Sequence, residues 1–245
     1  MDYSARIEAR DNSVFSILTA MSGDDKRSFL EVQNVIRSYD PSYTYLEVVS
    51  DLGGSLIAPL LDRCCVRALS IDSRPGSQPD ERGRHFDFPD NSAERMRSEL
   101  RNAGVSEAAL SSLVTFDADA SSVTLAHAQA RFAFIDAEHT NRAVFRDFLN
   151  VRRFMIPSHV VMFHDANLIF DGLLNIEEML HHEGANFTAI YAPDTMFVVA
   201  VGALVEPIKA AFRGRQMDRE EFVARSRRAL SIEIARSTER LSSYG

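Results

Sequence analysis

Tryptophan is absent from this 245-residue chain, and cysteine occurs only twice. Because Cys64 and Cys65 are neighbours, and adjacent cysteines rarely pair with each other, a disulfide framework is not expected. Apolar runs long enough to cross a bilayer are also missing, as is a basic-apolar-small leader at the N-terminus. The sequence therefore predicts a cytoplasmic protein without a membrane partner.

Basic residues are outnumbered, with 27 Lys and Arg against 35 Asp and Glu, and the formal charge is −8. Proteins that bind a nucleic-acid backbone usually carry a basic face, so a nucleic acid is not expected as the main partner. The charge is compatible with a small-molecule substrate. The length and the 45% hydrophobic content suit one α/β domain with a full core.

Seven short apolar runs alternate with polar or helical stretches. This alternation predicts an α/β fold with a Rossmann-like doubly wound, mainly parallel seven-stranded sheet. The last two runs flank Pro193 so closely that they predict a terminal antiparallel hairpin. The predicted strands are 45–49, 66–71, 114–116, 132–135, 159–163, 187–191 and 195–201.

Both ends of the chain show helical periodicity. We expect a single domain in which a helical cap (1–42) precedes the core (43–202) and a helical extension (203–245) follows it. The apolar stripe of the extension either packs on its own domain or forms a homodimer contact. Apolar residues spaced i, i+3, i+4, i+7 also predict a helix near the start of the cap. These residues are Val14, Ile17, Leu18 and Met21.

A strand, a glycine turn and a helix are predicted in succession over residues 45–61. The strand carries Glu47 and breaks at Gly53-Gly54. Such a turn lets a ligand approach bare backbone, and the helix start adds N–H donors. Asp72 ends the next strand, where a carboxylate can accept hydrogen bonds from ribose hydroxyls. A second loop, 73–92, is long and polar, as in lids and binding loops.

Acidic residues recur in the first five predicted strands or directly after them. In open parallel sheets, ligands bind outside the carboxyl ends of the strands. Five strands that each bring an acid to this edge therefore predict a ligand site there. In chain order the acids are Glu47, Asp72, Asp117 with Asp119, Asp136, and Asp165 after His164.

Three motifs carry a resemblance to a known family. They are Leu-Glu-Val-Val-Ser with Gly-Gly-Ser (46–55), Phe-Ile-Asp-Ala-Glu-His (134–139) and Phe-His-Asp (163–165). Together they resemble the class I S-adenosylmethionine-dependent methyltransferases, in particular the small-molecule O-methyltransferase-like branch. The resemblance covers roughly residues 43–202 and implies S-adenosylmethionine as the cofactor.

The resemblance also implies cofactor contacts at the matching positions. Carboxylates near a cationic sulfonium are favourable, and the adenosine needs hydrogen-bond acceptors. The implied contacts are Glu47, Ser50, Gly53 and Ser55 at the methionine end, Asp72 at the ribose, Asp119 with Ala118 and Ala120 at the adenine, and Asp136 under the sulfonium.

Several positions depart from the family pattern, among them Asp51, Ala118 and Pro157-Ser158-His159. Val49 and Ala137 stand where glycine is usual, and a side chain at Val49 is expected to crowd the methionine tail. The alternative to an active enzyme is therefore a degenerate, non-catalytic relative that acts as a binding or regulatory partner. A Rossmann-type nucleotide-dependent oxidoreductase is disfavoured, because Gly-x-Gly-x-x-Gly is missing and acids follow the fourth and fifth strands.

A hydroxyl acceptor needs a base or a metal, and the chain offers candidates for both. Asp136, Asp165 and Asn167 supply oxygen ligands that suit Mg²⁺ or another divalent metal. Without a metal, His139 or His164 would act as the general base beside Asp136. A third interpretation gives both histidines a structural role only. The expected reaction is O-methylation of a small molecule, such as a sugar or a secondary metabolite.

Overall fold

The computed structural model of the protein describes residues 3–74, 76–124 and 128–242. Its strands are β1 (Tyr43–Val48), β2 (Cys65–Ile71), β3 (Gly76–Pro79), β4 (His85–Phe88), β5 (Leu113–Phe116), β6 (Ala130–Ile135), β7 (Met155–Phe163), β8 (Phe187–Tyr191) and β9 (Phe197–Val201). Seven of these form one sheet in the order β5-β2-β1-β6-β7-β9-β8, and β3 pairs with β4 separately. Within the large sheet, β9 runs antiparallel to both of its neighbours, and the other pairs are parallel.

Helices cover both faces of the large sheet. In the described residues they are α1 (Tyr3–Glu8), α2 (Gly23–Tyr39), α3 (Ile57–Leu61), α4 (Ala93–Asn102), α5 (Glu107–Ser111), α6 (Asn141–Val151), α7 (Phe170–His182), α8 (Val205–Ala211) and α9 (Arg219–Ser242), with short 3-10 turns at Asn12–Val14, Arg152–Phe154 and Gly202–Leu204. The predicted fold is thus confirmed, including the terminal hairpin of β8 and β9.

Alternation along the strands divides the core into two apolar clusters. In β1, Tyr43 and Tyr45 point into the cluster under α2, whereas Leu46 and Val48 point into the cluster under α6 and α7. Successive side chains of a strand face opposite sides, so Glu47 shares the face of the two tyrosines. Its carboxyl group therefore lies inside the α2 cluster, beneath the glycine turn.

The helix predicted from the stripe between Val14 and Met21 is wrong. The chain there makes a 3-10 turn and then runs irregularly to Ser22, whose side chain caps α2. Val14 and Met21 are still buried. The periodicity therefore predicted burial correctly for Val14, Ile17 and Met21 but not for Leu18, which is exposed, and the capping box at Ser22 begins the helix after the stripe.

The polar segment 73–92 is a short antiparallel hairpin, which the sequence did not predict. β3 and β4 form it, and Pro75 lies outside the described residues. The hairpin docks on the start of α6, where Glu81 N donates to His139 O (3.0 Å) and Asn141 N donates to Glu81 Oε1 (2.6 Å). These bonds place the hairpin over the carboxyl edge of the sheet.

The long C-terminal helix α9 packs back on its own domain at its start. Phe222 contacts Tyr191 (ring centroids 4.7 Å apart), and Arg219 Nε donates to Glu177 Oε2 (3.1 Å). Farther along, Ile232 and Ile234 are each 43% exposed. The homodimer contact stays a prediction. No helix among the described residues is long and apolar enough to span a membrane.

Candidate cofactor and active site

Two cavities open side by side at the carboxyl edge of the parallel strands. Cavity A has a volume of about 630 Å³, open solvent included, and cavity B about 520 Å³. Residues at the rim of cavity A include Leu18, Ser50, Asp51, Gly54, Ser55, Phe88, Asp136, His139 and Asp165. Cavity B is bordered by Asp72, Ala118, Asp119, Ala120, Glu138, Arg146 and Asp147 among others.

Val49 lies where the two cavities meet, since it and Gln78 line both. Its φ is 63°, in the left-handed region that β-branched residues rarely adopt. The backbone is held there because Val49 N donates to Ile71 O (2.8 Å) as the strand pairing ends. The turn thus keeps a glycine conformation although a valine occupies the position, and the isopropyl group stands between the cavities.

The glycines that follow serve packing as well as ligand approach. Gly53 has φ 86°, and a Cβ there would lie 3.1 Å from Leu100 of α4. At Gly54, a Cβ would lie 2.5 Å from the carbonyl oxygen of Leu18. Gly53 thus allows the positive φ of the turn and the close packing of α4 against it. Gly54 allows the N-terminal segment at Leu18 to pack closely at the rim of cavity A.

Asp72 holds the turn together from the end of β2. Its Oδ2 accepts from the backbone nitrogens of Ser50 (3.1 Å) and Asp51 (3.2 Å) and from Asn91 Nδ2 (3.2 Å). The guanidinium of Arg74, 2% exposed, lies 3.2 Å from the same oxygen. A carboxylate that satisfies so many buried donors fixes the shape of both cavities.

Glu47 lies beneath the turn and is fully buried. Tyr45 Oη and Ser55 Oγ donate to its carboxyl oxygens at 2.5 and 2.7 Å. Burial raises the pKa of Glu47 to about 8, and the negative charge of Asp136 adds to the increase. In the absence of a cation nearby, Glu47 is therefore largely protonated at neutral pH.

Three carboxylates surround His164 below cavity A. Its Nδ1 lies 3.1 Å from Asp136 Oδ1 and 3.5 Å from Asp165 Oδ2, and its Nε2 lies 3.6 Å from Asp25 Oδ2. Burial lowers the pKa of His164, but the carboxylates, Asp136 foremost, outweigh it and hold this pKa well above its usual value. His164 is therefore an imidazolium that anchors Asp136 from behind.

Asp25 brings the N-terminal cap into this cluster. Its carboxylate closes the capping box of α2 with Ser22 and accepts from Thr195 N (3.0 Å) and Thr195 Oγ1 (3.1 Å). Burial raises its pKa, but the ion pair with His164 and the hydrogen bonds from the backbone of Ser22 and Thr195 outweigh that and lower the pKa to about 2. Asp25 thus stays ionised and neutralises the buried imidazolium.

His139 and Asp165 complete the wall of cavity A beside Asp136. His139 Nε2 lies 3.1 Å from Asp165 Oδ2 and 3.6 Å from Asp136 Oδ1. Neither ring nitrogen of His139 is aligned for a hydrogen bond with another described residue. Burial lowers the pKa of His139, but the two carboxylates raise it more. His139 therefore lines cavity A as a largely buried imidazole that pairs with carboxylates and leaves hydrogen-bonding capacity unused.

A donor set for a divalent cation exists on this wall. Ligand atoms of Asp136, His139 and Asp165 all lie within 4.8 Å of one another. Asn167 has a buried Oδ1 that lacks a hydrogen-bond partner in the described part of the chain. Its side chain is not among those that line cavity A. The geometry therefore gathers Asp136 and Asp165 as predicted and adds His139, whereas Asn167 stays a predicted ligand.

Cavity B is acidic and polar. Asp119 Oδ1 accepts from Ser121 N (2.8 Å), and its Oδ2 lies 3.7 Å from Arg146 Nη2. Burial raises the pKa of the neighbouring Asp147 to about 6. Ala118 and Ala120 leave room between these polar groups. The cavity offers acceptors and small side chains, which suit a nucleoside.

A family model described as "Methyltransferase domain" matches residues 52–166. These residues run from the glycine turn to the end of β7 and include Asp72, Asp119 and Asp136. This match supports the predicted class I S-adenosylmethionine-dependent methyltransferase family and an enzyme. S-adenosylmethionine is the cofactor that this family implies. No curated protein matches the sequence.

Solved structures of methyltransferases share the fold. A putative O-methyltransferase from Klebsiella pneumoniae is 14% identical with a TM-score of 0.54, over 83% of this chain and 91% of that one. The O-methyltransferase TomG from Streptomyces achromogenes, in complex with S-adenosylmethionine, is 16% identical with a TM-score of 0.51, over 82% and 89%. An O-methyltransferase from Bacillus cereus, in complex with S-adenosylhomocysteine, is 15% identical with a TM-score of 0.51, over 80% and 90%.

Most predicted site residues lie around the two cavities. Ser50, Ser55, Asp136, His139 and Asp165 line cavity A, and Asp72, Asp119 and Ala120 line cavity B. Glu47, Gly53 and His164 lie behind these walls. Sequence reasoning missed Asp25, Arg74 and Asn91. The capping pattern Ser-Gly-Asp-Asp at 22–25 signals a helix start, but nothing local shows that this start meets His164.

The buried Glu47 makes the stability of the protein depend on pH. Its pKa is about 8 in the folded chain against 4.5 for a free glutamate, so the folded state binds more protons between these values. Stability should therefore fall as pH rises from about 4.5 to 8, by up to about 5 kcal/mol. We expect Glu47→Gln to remove most of this decline in urea unfolding at pH 5, 6.5 and 8. The control Glu220→Gln, at an exposed position, should show the same decline of stability with pH as the wild type. The same decline in Glu47→Gln would contradict the assignment to Glu47.

Proposed function

We propose that the protein transfers a methyl group from S-adenosylmethionine to a hydroxyl group of a small molecule. The observation that carries this proposal is the cluster of Asp136, His139 and Asp165 on the wall of cavity A, directly beside the junction with cavity B. A hydroxyl is a weak nucleophile, and groups that accept its proton or stabilise its anion are what such a cluster supplies.

In this proposal the cofactor lies across both cavities. Asp72 and Asp119 accept hydrogen bonds from the adenosine in cavity B, where Ala120 leaves space for the base. Ser50 and Ser55 border the methionine end in cavity A. When bound, S-adenosylmethionine supplies a methyl group activated by a sulfonium. Asp136 lies nearest the expected position of that charge and stabilises it electrostatically.

His139 and His164 have different proposed roles. His164 is 3% exposed and enclosed by carboxylates, so it orients Asp136 rather than meeting substrate. His139 lines cavity A, and neither of its ring nitrogens has a hydrogen-bond partner among the described residues, so it is the group that receives the hydroxyl proton in a metal-free reaction. Asp165, 3.1 Å from its Nε2, then stabilises the imidazolium that forms.

The same wall fits a divalent cation. Two carboxylates and an imidazole within 4.8 Å of one another form a mixed oxygen and nitrogen donor set. The oxygens suit Mg²⁺, and the nitrogen favours Mn²⁺ or Zn²⁺. Asp136, His139 and Asp165 would hold the ion, with Asn167 as a further candidate. When bound, a metal would lower the pKa of an acceptor hydroxyl and fix its orientation.

Methyl transfer to a panel of neutral phenols and sugars tests the proposal. With methyl-labelled S-adenosylmethionine, mass spectrometry should locate the label on oxygen. If the metal is used, EDTA should lower turnover at least about a hundredfold, and Mg²⁺ or Mn²⁺ should restore it. Full activity in EDTA would leave His139 as the base. Label found only on nitrogen or carbon would contradict O-methylation.

A further inference from the structure

Leu18 is the most exposed of the large hydrophobic residues described, at 82%, and it lies on the rim of cavity A. Single exposed leucines are ordinary on protein surfaces. This one is different because it borders the cavity that contains Asp136, His139 and Asp165. A ligand that covers it would gain the free energy of burying an apolar side chain.

The position of Leu18 is fixed by its surroundings. Its carbonyl oxygen lies against Gly54, where a Cβ would come within 2.5 Å. On either side of it, Ile17 (7% exposed) and Met21 (4%) are anchored in the core. Thr19 Oγ1 accepts from Met21 N (3.3 Å) and tightens the same segment. The chain therefore holds an apolar residue at the cavity mouth between the buried anchors Ile17 and Met21.

Further apolar walls face the same cavity. Phe88, at the end of the β3–β4 hairpin, lines it, and so does Leu52 of the glycine turn. The hairpin is tied down by Glu81, whose backbone and side chain bond to His139 and Asn141. Leu18, Leu52 and Phe88 thus belong to three separate segments that converge on one mouth.

The charges at cavity A select against anions. Its charged lining residues in the described chain are Asp51, Asp136 and Asp165, with His139 as the potential cation. Asp51 is half-buried, and burial raises its pKa. Arg146 lines cavity B, and no arginine is among the described residues that line cavity A. A carboxylate or phosphate on the acceptor would meet like charge and no dedicated partner.

We infer that the methyl acceptor is an uncharged, phenol-like hydroxyl compound whose apolar body packs between Leu18 and Phe88, rather than a sugar or an anionic acid. This inference rests on the proposed function, because it assigns cavity A to the acceptor. It makes Leu18 a specificity-determining residue. A sugar would place hydroxyl groups against Leu18, Leu52 and Phe88, where no hydrogen bonds replace its hydration.

Calorimetric titration with three probes tests the inference. The probes are 4-tert-butylcatechol, 3,4-dihydroxybenzoate and methyl glucoside, each titrated into the full chain with and without S-adenosylhomocysteine. We expect the neutral catechol to bind at least about tenfold more tightly than the other two. Leu18→Ala should weaken that binding roughly tenfold and leave S-adenosylhomocysteine affinity unchanged. Leu149→Ala, which removes an exposed leucine on α6, should change neither.

Each contrary outcome is distinct from failure of the proposed function. The inference would be overturned if the glucoside or the benzoate bound as tightly as the catechol or more tightly. It would also be overturned if the catechol did not bind, or if Leu18→Ala bound the catechol as tightly as the wild type. The proposed function fails separately, if the protein does not bind S-adenosylhomocysteine or transfers no methyl group to oxygen. The probe titrations without S-adenosylhomocysteine then still decide whether cavity A prefers an apolar neutral compound.

Discussion

Replacing Val49 with glycine should raise the affinity for S-adenosylhomocysteine at least about tenfold, equivalent to about 1.4 kcal/mol. The isopropyl group stands where cavities A and B meet, so a cofactor that spans both must pass it. Glycine removes that obstacle and keeps the turn, because the position already has φ 63°. Calorimetric titration of both proteins measures the change.

The same substitution should also stabilise the protein by about 1 kcal/mol. A non-glycine residue in the left-handed region destabilises the folded state by about 1–2 kcal/mol, and glycine removes this strain. The greater conformational entropy of glycine in the unfolded chain offsets part of the gain. Val66→Gly is the matched control, since Val66 is 53% exposed on β2 and remote from both cavities. It should lower stability and leave cofactor affinity unchanged. Unchanged affinity in Val49→Gly would show that the valine does not obstruct the cofactor.

Asp72→Ala should abolish measurable S-adenosylhomocysteine binding and lower the free energy of unfolding by about 3 kcal/mol. The carboxylate accepts from Ser50 N, Asp51 N and Asn91, and it compensates the buried guanidinium of Arg74. Its loss leaves those donors without their acceptor, so the turn between the cavities loses its support. Urea unfolding and calorimetry measure the two effects.

Asp117→Ala provides the matched control for Asp72. Asp117 Oδ1 also pairs with Arg74, at 3.2 Å from Nη1, but its side chain is 56% exposed. An exposed partner contributes little, so stability should fall by less than about 1 kcal/mol and binding should persist. Equal effects of the two substitutions would mean that Asp72 acts only as a counter-ion to Arg74. Normal binding by Asp72→Ala would refute its role at the ribose.

Much of this architecture could be predicted because it follows from local patterns. Apolar runs of strand length located all seven strands of the large sheet, and acids such as Asp72 and Asp136 follow from the rule that ligands bind at strand ends. The hairpin of β3 and β4 escaped prediction because its apolar pattern is confined to Phe86 and Phe88 of β4, whereas the β3 sequence Gly-Ser-Gln-Pro has no strand-like pattern. It is held by contacts to α6, which are distant in sequence.

Long-range contacts also explain why some features of the site could not be predicted from the sequence. Asp25 follows an ordinary helix cap, and only the folded chain brings it to His164. Val49 could be recognised as a departure from glycine. Its left-handed backbone and its place between two cavities required the structure. Leu18 was assigned to a helix by its spacing, yet it lies in irregular chain at a cavity mouth.

Calorimetric titration of the wild-type protein with S-adenosylhomocysteine, with and without Mg²⁺ and with NAD as comparison, tests the central claim most directly. The account predicts saturable binding of S-adenosylhomocysteine at one site and no binding of NAD. Binding in both metal conditions would be consistent with the separate donor set at Asp136, His139 and Asp165. No binding of S-adenosylhomocysteine in either condition, or binding of NAD alone, would contradict the assignment of the two cavities to this cofactor.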